Sequence, residues 1–272
     1  MAEKPMDVKA VLFDWAGTTV DFGSRAPAKV FQEIFRQRGV EITEAEAREP
    51  MGRAKRDHIS QITRMPRVAA AWDEHFGRSP TDQDVQDMYD EFLPLQKRVL
   101  AQHSEVIAGV SEAVAELRAR GLRIGSSTGY TRELMDVVLP LAADQGYSPD
   151  VCVCSDDVAA GRPAPWMNYR AAEWLGVYPM DTIVVVDDTP IGIVAGRHAG
   201  MWTIAVSRTG NSLGLSAAEV AALPDEELEG RLRRIEADFY RAGAHLVIGG
   251  VDELPDRLHE LGRLRNRSEM PT

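Results

Sequence analysis

The pattern of apolar and polar positions divides the chain into regions of different secondary structure. Residues 8–13 form a short apolar run that is followed by an aspartate and a break at Gly17, which is typical of a buried strand. From Ala28 to about His103, apolar positions recur at helical spacing and no alternating β-branched run interrupts them. We therefore expect a wholly helical unit to be inserted after the first strand.

Proline residues punctuate this helical stretch at four positions, Pro50, Pro66, Pro80 and Pro94. A proline lacks the backbone N–H that continues a helix, and its ring crowds the preceding turn. Each of these prolines is therefore expected to lie at a boundary between helices.

From Gly109 onward, apolar runs of strand length alternate with helical patterns. The runs with strand character cover residues 122–125, 150–154, 182–186, 201–206 and 244–248. Such alternation is typical of a parallel sheet with right-handed crossovers and helices on both faces. We therefore predict an α/β protein with a doubly wound, Rossmann-like core at residues 1–21 and 104–272 and an all-helical cap domain at residues 22–103. The last residues, 265–272, are expected to be disordered.

The composition narrows the classes of function. A formal net charge of −11 over 272 residues argues against a nucleic-acid-binding surface as the main function, although it leaves room for a local anion site. No apolar run approaches the ~20 residues of a transmembrane helix, and Met1–Lys9 lacks the apolar stretch of a signal peptide. The two cysteines, Cys152 and Cys154, alternate on one predicted strand and form no disulfide framework. We expect a cytoplasmic protein that binds neither nucleic acid nor membrane.

Polar residues follow four of the predicted strands at the point where each strand ends. They are Asp14 after the first strand, Ser127 and Thr128 after the second, Arg162 after the third, and Asp187 with Asp188 after the fourth. Because parallel strands end at the same edge of a sheet, these groups are expected to converge where ligands bind in open α/β folds. Each also has a simpler explanation, with the strand-end aspartates as turn formers, Thr128 as a helix cap and Arg162 as a loop ion pair.

Taken together, the same groups provide the parts of a phosphoryl-transfer site. An aspartate at a strand end serves as a nucleophile, as a metal ligand or as both, and several carboxylates together favour Mg²⁺. Thr128 precedes a helix N-terminus, which suits a phosphate oxygen, and Arg162 supplies a positive fork for the same group. The sequence therefore favours phosphoryl transfer assisted by Mg²⁺.

The order of these motifs resembles the haloacid dehalogenase superfamily. The resemblance rests on a strand followed by Asp14-x-x-x-Thr18, a hydroxyl residue after the second strand, a basic residue and an Asp-Asp strand end. It implies phosphoryl transfer through an aspartyl intermediate with Mg²⁺, and it implies that the helical insert is a mobile cap. Most phosphatases of this superfamily carry a second aspartate, two residues after the nucleophile, that protonates the leaving oxygen. Here that residue is Ala16, which disfavours ordinary hydrolysis of phosphate monoesters.

The cap segment Met51–His58 offers a different way to activate a leaving group. Lys55 and His58 stand three residues apart and are expected to share one helix face. A lysine that closes over a phosphate site can attack an aldehyde as a free amine, and crowding by Arg53 and Arg56 together with burial would lower its pKa. His58 would move protons. The simpler alternative is that Lys55 is one solvated cap lysine among several.

Five blocks together resemble the phosphonatase branch of the superfamily. They are Phe13–Thr18, Met51–His58, Ser127–Arg132, Gly161–Met167 and Val186–Pro190, and the match extends from about Val8 to Arg208. The resemblance implies a phosphonate substrate and hydrolysis of the carbon–phosphorus bond of phosphonoacetaldehyde, which gives acetaldehyde and phosphate. It also suggests a homodimer, for which the apolar cap residues Trp72, Phe76, Tyr89 and Phe92 offer an interface.

The resemblance carries over to individual residues of this chain. Lys55 would form a Schiff base with the substrate aldehyde, and Asp14 would take the phosphoryl group. Asp14, Asp188 and the backbone carbonyl of Ala16 would hold Mg²⁺. The remaining substrate contacts would be Thr128 and Arg162 at phosphoryl oxygens, and Met51, His58 and Tyr130 near the lysine. Four residues beyond Asp188, where many members keep another acid, this chain has Gly192, so the role of Asp187 stays open.

Three alternatives stay open at this point. A phosphatase or phosphomutase of the same superfamily would use Lys55 only to bind its substrate, and Ala16 weighs against it. A dehalogenase would need no Mg²⁺, and the adjacent Asp187 and Asp188 weigh against it. A non-catalytic binding protein on the same fold is disfavoured because the chain carries both Asp14 and Lys55.

Overall fold

The computed structural model describes residues 7–266. Within this range six parallel strands form one sheet, namely β1 (Ala10–Phe13), β2 (Arg123–Ser127), β3 (Val151–Val153), β4 (Ile183–Asp187), β5 (Trp202–Val206) and β6 (Leu246–Ile248). The strand order is β3-β2-β1-β4-β5-β6, so the winding reverses between β1 and β4. In open α/β sheets, ligands bind in the crevice at such a reversal.

Twelve α-helices accompany the strands in the described range. Five of them follow β1, namely α1 (Arg25–Gln37), α2 (Glu44–Arg48), α3 (Lys55–Thr63), α4 (Pro66–Phe76) and α5 (Asp82–Leu100). The others are α6 (Val110–Ala119), α7 (Arg132–Ala143), α8 (Trp166–Leu175), α9 (Pro190–His198), α10 (Ala217–Ala222), α11 (Asp225–Arg241) and α12 (Leu254–Asn266). None of the helices in this part of the chain has the length and apolar character of a membrane-spanning segment.

Alternate residues of β1 explain why both faces of the sheet are covered. Val11 and Phe13 belong to one apolar core, which they share with α6, α7 and α12. Leu12 belongs to the opposite core, where α8 packs. A strand buried on two faces reads as a continuous apolar run, and each fully buried Val, Leu or Phe side chain stabilises the fold by about 1.5–3 kcal/mol. The structure confirms the predicted α/β class with a doubly wound parallel sheet.

Helices α1–α5 enclose a hydrophobic core of their own. Ile34, Trp72 and Phe92 are fully buried in it and come from three different helices. The helical unit predicted after the first strand is therefore confirmed. The domain boundaries at residues 22 and 103 stay a prediction, since Leu100 at the end of α5 is already buried in the core beneath the sheet.

One of the four prolines does not separate two helices. Pro94 lies inside α5, so the boundary predicted there is wrong. Pro94 is exposed, and the carbonyl that it leaves without an intrahelical donor can be hydrated. Pro66 is the first residue of α4, where no N–H is needed, and Pro50 and Pro80 lie between helices, as predicted.

Several element ends also differ from the predicted ones by one to a few residues. β2 extends to Ser127 instead of ending at residue 125, because Ser126 and Ser127 pair with β3. Helix α12 continues to Asn266 and so includes the first two residues of the tail predicted to be disordered. Residues 267–272 of that tail lie outside the described residues.

Candidate active site

The carboxyl edge of the sheet brings together the polar groups that follow the strands. In the parallel register, Phe13 of β1 lies beside Ser126 of β2 and Val186 of β4. The next residues along the chain, among them Asp14 and Asp187, therefore reach this edge at the same level. The Asp14 N–H donates to the carbonyl of Val186 at 2.9 Å, which fixes the start of the loop after β1.

Three buried carboxylates lie together at this edge. Oxygen atoms of Asp14, Asp187 and Asp188 come within 4.8 Å of one another. Three like charges in a buried site repel one another unless a cation or protons neutralise them. A donor set made of carboxylate oxygens fits a hard divalent cation better than a soft metal. These residues therefore fit the divalent metal expected from the sequence, and Ala16 lines the adjoining cavity.

Asp188 is held from two sides. The Thr18 hydroxyl donates to its Oδ1 at 3.2 Å, and the backbone N–H of Asn211 donates to its Oδ2 at 2.7 Å. Gly17 has a φ of +91°, and a Cβ there would lie 2.2 Å from Oδ2, so this position requires glycine. Burial, together with the charges of Asp14 and Asp187, raises the pKa of Asp188 well above its usual value. A bound cation would reverse that shift.

Asp187 is held by the turn that leads into α9. Thr189 donates to its Oδ1 from the backbone N–H at 2.9 Å and from the hydroxyl at 2.7 Å, and Oδ2 lies 3.1 Å from Nη2 of Arg162. Burial raises the pKa of Asp187 to about 6, against the lowering effect of Arg162. A Cβ at Gly192 would lie 2.0 Å from the Asp187 Cγ. Asp187 therefore occupies the space that an acidic side chain at position 192 would fill.

Arg162 reaches the carboxylates from the loop after β3. Its Nη2 lies 2.7 Å from Oδ1 of Asp14 and donates to the carbonyl of Ser127 at 3.0 Å. Burial disfavours the charged guanidinium, but the charges of Asp14 and Asp187 outweigh burial and raise the pKa of Arg162. A fixed cation beside Asp14 can bind an anionic substrate at the place where that carboxylate would attack.

A small cavity adjoins Asp14 and has walls from both the cap and the core. It is lined by Asp14, Ala16, Ser24, Pro27, Met51, Gly52, Lys55, Thr128, Gly129, Tyr130, Arg162 and Thr189. The hydroxyl of Thr128 accepts the N–H of Tyr130 at 3.1 Å and keeps its own proton for donation. Among the described residues, the structure thus brings every predicted site residue except His58 and Asp188 to the wall of one cavity.

The cap rests directly on the core around Gly52. A Cβ at Gly52, whose φ is +90°, would lie 2.6 Å from the hydroxyl oxygen of Thr189. A Cβ at Gly129 would lie 2.6 Å from the carbonyl oxygen of Arg53. Backbone from the two parts of the chain is therefore in close contact beside the cavity, and Lys55 reaches the cavity from the cap side.

Lys55 begins α3 and is buried although it carries an amine. Its Nζ lies 4.7 Å from the centre of the Tyr130 ring and 5.6 Å from the centre of the Phe31 ring. Burial lowers the pKa of Lys55 to about 7, with the charge of Asp14 opposing the shift and that of Arg162 adding to it. Part of the amine is therefore unprotonated near pH 7, and the unprotonated form is the nucleophilic one.

The prediction that Arg53 and Arg56 supply the positive charge around Lys55 was wrong. Arg56 is exposed and donates to Oε1 of Gln86 in α5 at 3.0 Å. Arg53 acts on His58, whose pKa it helps to lower, while Arg162 supplies the nearby positive charge that acts on Lys55. Lys55 is buried as predicted, and burial is the largest cause of its lowered pKa.

His58 lies one turn after Lys55 on α3 and is fully buried. Its Nε2 lies 2.9 Å from the carbonyl oxygen of Ala47, which can only accept, so Nε2 carries the proton. Burial, followed by the charge of Lys55, lowers the pKa of His58 well below its usual value, and the ring is neutral. Its Nδ1 has no hydrogen-bond partner within residues 7–266.

Two residues that hold the carboxylates were not found from the sequence. Thr189 binds Asp187, and Asn211 binds Asp188 from the loop after β5. That loop, residues 207–215, contains Gly, Ser and Asn residues typical of a loop at a strand end. Its composition indicates a loop at the correct edge of the sheet but does not indicate which group touches Asp188.

Known proteins of high similarity agree on one family. Residues 8–200 match the family of haloacid dehalogenase-like hydrolases. A phosphonoacetaldehyde hydrolase from Bacillus cereus is 49% identical over 249 residues, which cover 92% of this chain and 94% of that protein. A phosphonoacetaldehyde hydrolase from Syntrophobacter fumaroxidans is 47% identical over 264 residues, which cover 97% of this chain and 95% of that protein.

A solved structure is similar over almost the whole chain. The crystal structure of a phosphonoacetaldehyde hydrolase-like protein from Oleispira antarctica matches with a TM-score of 0.95 and 41% sequence identity, covering 97% of this chain and 96% of that one. Sequence, fold and relatives therefore lead to the same family. The chain belongs to the haloacid dehalogenase-like hydrolases and, among them, to the family of the phosphonoacetaldehyde hydrolases.

Proposed function

We propose that this enzyme hydrolyses the carbon–phosphorus bond of phosphonoacetaldehyde to acetaldehyde and phosphate. The observation that carries the proposal is Lys55, a buried amine with a pKa of about 7 in the same small cavity as Asp14 and Arg162. A carbon leaving group needs a place for its electrons, and an imine formed by an amine with the aldehyde provides one. The names of the curated relatives support the same substrate.

Lys55 begins the reaction by attacking the aldehyde carbon with its unprotonated amine. The resulting carbinolamine loses water and becomes an iminium, and His58, whose Nδ1 is available, takes and returns the protons of these steps. The rings of Phe31 and Tyr130 lie at cation–π distance from Nζ and favour the positive charge of the iminium.

Asp14 then acts as the nucleophile towards phosphorus. As the new oxygen–phosphorus bond forms, the carbon–phosphorus bond breaks, and its electron pair moves toward the iminium nitrogen to give an enamine on Lys55. No leaving oxygen has to be protonated, which is consistent with Ala16. The enamine takes up a proton at carbon, one water releases acetaldehyde from Lys55, and a second water releases phosphate from Asp14.

The remaining predicted residues bind and orient the substrate. Arg162, beside Asp14, and the hydroxyl of Thr128 would hold the phosphoryl oxygens. Met51 and Tyr130 are buried and form part of the wall around Lys55. By excluding water from the amine, this wall keeps it in the reactive, unprotonated form.

Asp14, Asp188 and the backbone carbonyl of Ala16 would hold Mg²⁺. When bound, the ion would neutralise the carboxylates and support the charge on the transferring phosphoryl group. Thr18 and Asn211 keep Asp188 in place for this task through their hydrogen bonds.

We further propose that the protein is a cytoplasmic homodimer that associates through its cap. Its two cysteines are free thiols, as in a reducing compartment. Trp72 and Phe92 are buried inside the cap, so Phe76 and the half-buried Tyr89 are the aromatic side chains that support a cap interface. A light-scattering mass of one chain, or recovery of the protein outside the cytoplasm, would contradict this proposal.

Phosphate release from phosphonoacetaldehyde in the presence of Mg²⁺, with and without borohydride, tests the proposed reaction. We expect borohydride to inactivate the wild type only when substrate is present, because it reduces the iminium on Lys55. Lys55→Arg is expected to lose turnover, since an arginine stays protonated, whereas Lys29→Arg at an exposed position of α1 keeps the wild-type rate. Phosphate release from simple monoesters, with no effect of borohydride, would replace this reaction by that of a phosphatase or phosphomutase.

A further inference from the structure

Arg48, the last residue of helix α2, donates hydrogen bonds to the connection between β1 and α1 and to the loop after β5 of the core. Its guanidinium donates to the carbonyls of Gly23 at 2.8 Å, Ser24 at 3.2 Å and Gly214 at 3.0 Å, and to Oδ1 of Asn211 at 3.1 Å. Two of these acceptors lie in the connection between β1 and α1, and the other two lie in the loop after β5. Arg48 therefore joins α2 to both segments.

The surroundings of Arg48 hold its guanidinium in this orientation. Glu44, one turn earlier in α2, accepts from its Nε at 2.8 Å, and the Arg48 side chain is only 12% exposed. A Cβ at Gly214, whose φ is +71°, would lie 2.9 Å from Nε of Arg48. The Asn211 side-chain amide donates back to the Arg48 carbonyl at 3.3 Å. Charge-assisted hydrogen bonds with so little access to water are among the stronger contacts between protein segments.

Asn211 connects this contact with the carboxylate cluster. Its backbone N–H donates to Oδ2 of Asp188 at 2.7 Å, while its side chain pairs with Arg48. One residue therefore touches both a cap arginine and a candidate metal ligand. The position of α2 relative to Asp188 is fixed through Asn211.

Helix α2 also anchors the segment that carries Lys55. The carbonyl of Arg48 accepts the N–H of Met51 at 3.0 Å, and the carbonyl of Ala47 accepts from His58 at 2.9 Å. Lys55 lies between these two anchored residues in the chain. A displacement of α2 would therefore move Met51 and Lys55 together.

We propose that Arg48 is a positioning residue that docks the Lys55 segment on the core, and that Asn211 couples this docking to Asp188. The proposal rests on the proposed function, in which Lys55 must meet an aldehyde whose phosphoryl group is held at Asp14. Arg48 is absent from the described residues that line the cavity and acts through the residues that do. A displacement of about 1 Å between reacting groups can cost on the order of 100-fold in rate.

The first test compares Arg48→Gln with a matched arginine of the cap. Arg67 in α4 also binds α2, through Glu46, and donates to the carbonyl of Glu41, so these bonds stay inside the cap. The rate constant for borohydride-trapped Schiff base on phosphonoacetaldehyde is expected to fall roughly 10- to 100-fold in Arg48→Gln and to stay at the wild-type value in Arg67→Gln. Arg48→Lys, which keeps the charge but lacks the planar fork, is expected to be intermediate.

The pH dependence of trapping distinguishes positioning from a general loss of folded protein. The charged groups that act on Lys55 are Asp14, Asp21 and Arg162, and the titratable rings near it are His58 and Tyr130. Looser docking admits water, so the pKa of Lys55 would rise from about 7 towards its ordinary value. The midpoint of the curve of trapping rate against pH would therefore move to higher pH. An unchanged rate and an unchanged midpoint in Arg48→Gln would overturn the proposal.

Hydrogen exchange provides a readout that does not depend on the reaction. We expect residues 48–58 to lose protection in Arg48→Gln but not in Arg67→Gln. Asn211→Ala keeps the N–H to Asp188 but loses the side-chain bonds to Arg48, so it should show the same loss of protection. The double variant Arg48→Gln, Asn211→Ala should lose no more protection than either single variant. If the wild type forms no trapped Schiff base, the proposed function fails. Hydrogen exchange in Arg48→Gln still tests whether Arg48 docks the Lys55 segment on the core. Wild-type protection of residues 48–58 in Arg48→Gln would overturn the proposed role of Arg48 in docking. Additive losses of protection in the double variant would overturn the proposed coupling through Asn211.

Discussion

Lys55 is an ionisable side chain held where water hardly reaches it. Its pKa of about 7 means that the ammonium form is less stable in the folded protein than in the unfolded chain. Active sites commonly retain such unfavourable groups because reactivity depends on them. The burial that lowers the pKa of this amine therefore also lowers the stability of the fold.

Replacement of Lys55 by methionine is expected to stabilise the protein at neutral pH. Between pH 7 and pH 10.5 the unfolded chain keeps a proton on Lys55 that the folded chain has released. The gain is therefore largest at and below pH 7, where it is on the order of 4 kcal/mol in the free energy of unfolding, and it disappears towards pH 10.5. Urea denaturation across this range measures it, with Lys29→Met at an exposed site as control. A gain of equal size at every pH would assign the effect to packing.

Relative positions of residues could be predicted where one short motif sets the spacing, but not where distant residues meet. The spacing of Lys55 and His58 indicated one turn of a helix, and both lie on α3. The positive charge that acts on Lys55 comes from Arg162, which no spacing rule connects to it. Arg56, adjacent in sequence, instead contacts α5. Electrostatic environment depends on tertiary distances, which a sequence pattern does not contain.

The Asp187 side chain fills the space that a side chain at position 192 would need, so a larger residue at 192 requires a smaller one at 187. Gly192→Asp would put a Cβ 2.0 Å from the Asp187 Cγ and is expected to cost at least about 1–3 kcal/mol of stability and to weaken Mg²⁺ binding. The double variant Asp187→Gly, Gly192→Asp keeps one carboxylate in that space and is expected to regain both properties. Thermal denaturation and titration calorimetry measure them, with Gly230→Asp at an open position of α11 as control. A double variant as damaged as the single one would show that the two positions are not exchangeable.

At the scale of elements, the existence of strands and helices was easier to predict than their ends. The strands β1 and β4 are buried apolar runs, and local pattern alone indicates them. The end of β2 depends on its pairing with β3, which the local pattern does not describe. Pro94 misled the prediction for α5 because an exposed position tolerates the lost hydrogen bond.

Pro94→Ala is expected to raise the free energy of unfolding by about 1 kcal/mol. An alanine N–H can complete the hydrogen bonding in the middle of α5, and alanine has the higher helix propensity, while the unfolded chain regains the freedom that proline removes. Chemical denaturation compares this variant with Pro80→Ala, which lies between helices and should bring no gain. A loss of stability at position 94 would mean that α5 needs a bend there to pack against α1 and α7.

In the whole molecule, parts with separate hydrophobic cores together form one cavity. Asp14 and Arg162 come from the edge of the sheet, and Lys55 comes from the helical unit. The sequence indicated a helical unit inserted after the first strand of the sheet. It could not indicate how the parts dock, because contacts such as that of Lys97 with Glu133 at 2.7 Å join segments that no periodic pattern relates.

Mg²⁺ is expected to raise the Tm of the wild-type protein. A ligand that binds only the folded state stabilises it by about 2.7 kcal/mol at 100 times its Kd. Asp188→Asn removes a carboxylate that is buried beside two others, so it should raise the Tm in EDTA and abolish the rise caused by Mg²⁺. Scanning calorimetry measures both effects, with Asp73→Asn at an exposed site as control. A normal Mg²⁺ response in Asp188→Asn would exclude this residue as a ligand.

The small size of the cavity also limits which molecules can reach the buried amine of Lys55. A buried lysine with a pKa of about 7 would condense with any aldehyde that reaches it. A cavity this small excludes large aldehydes, and Arg162 favours those that carry an anionic group. In the proposed mechanism, this narrow access would limit reactions of the Lys55 amine with aldehydes other than the substrate.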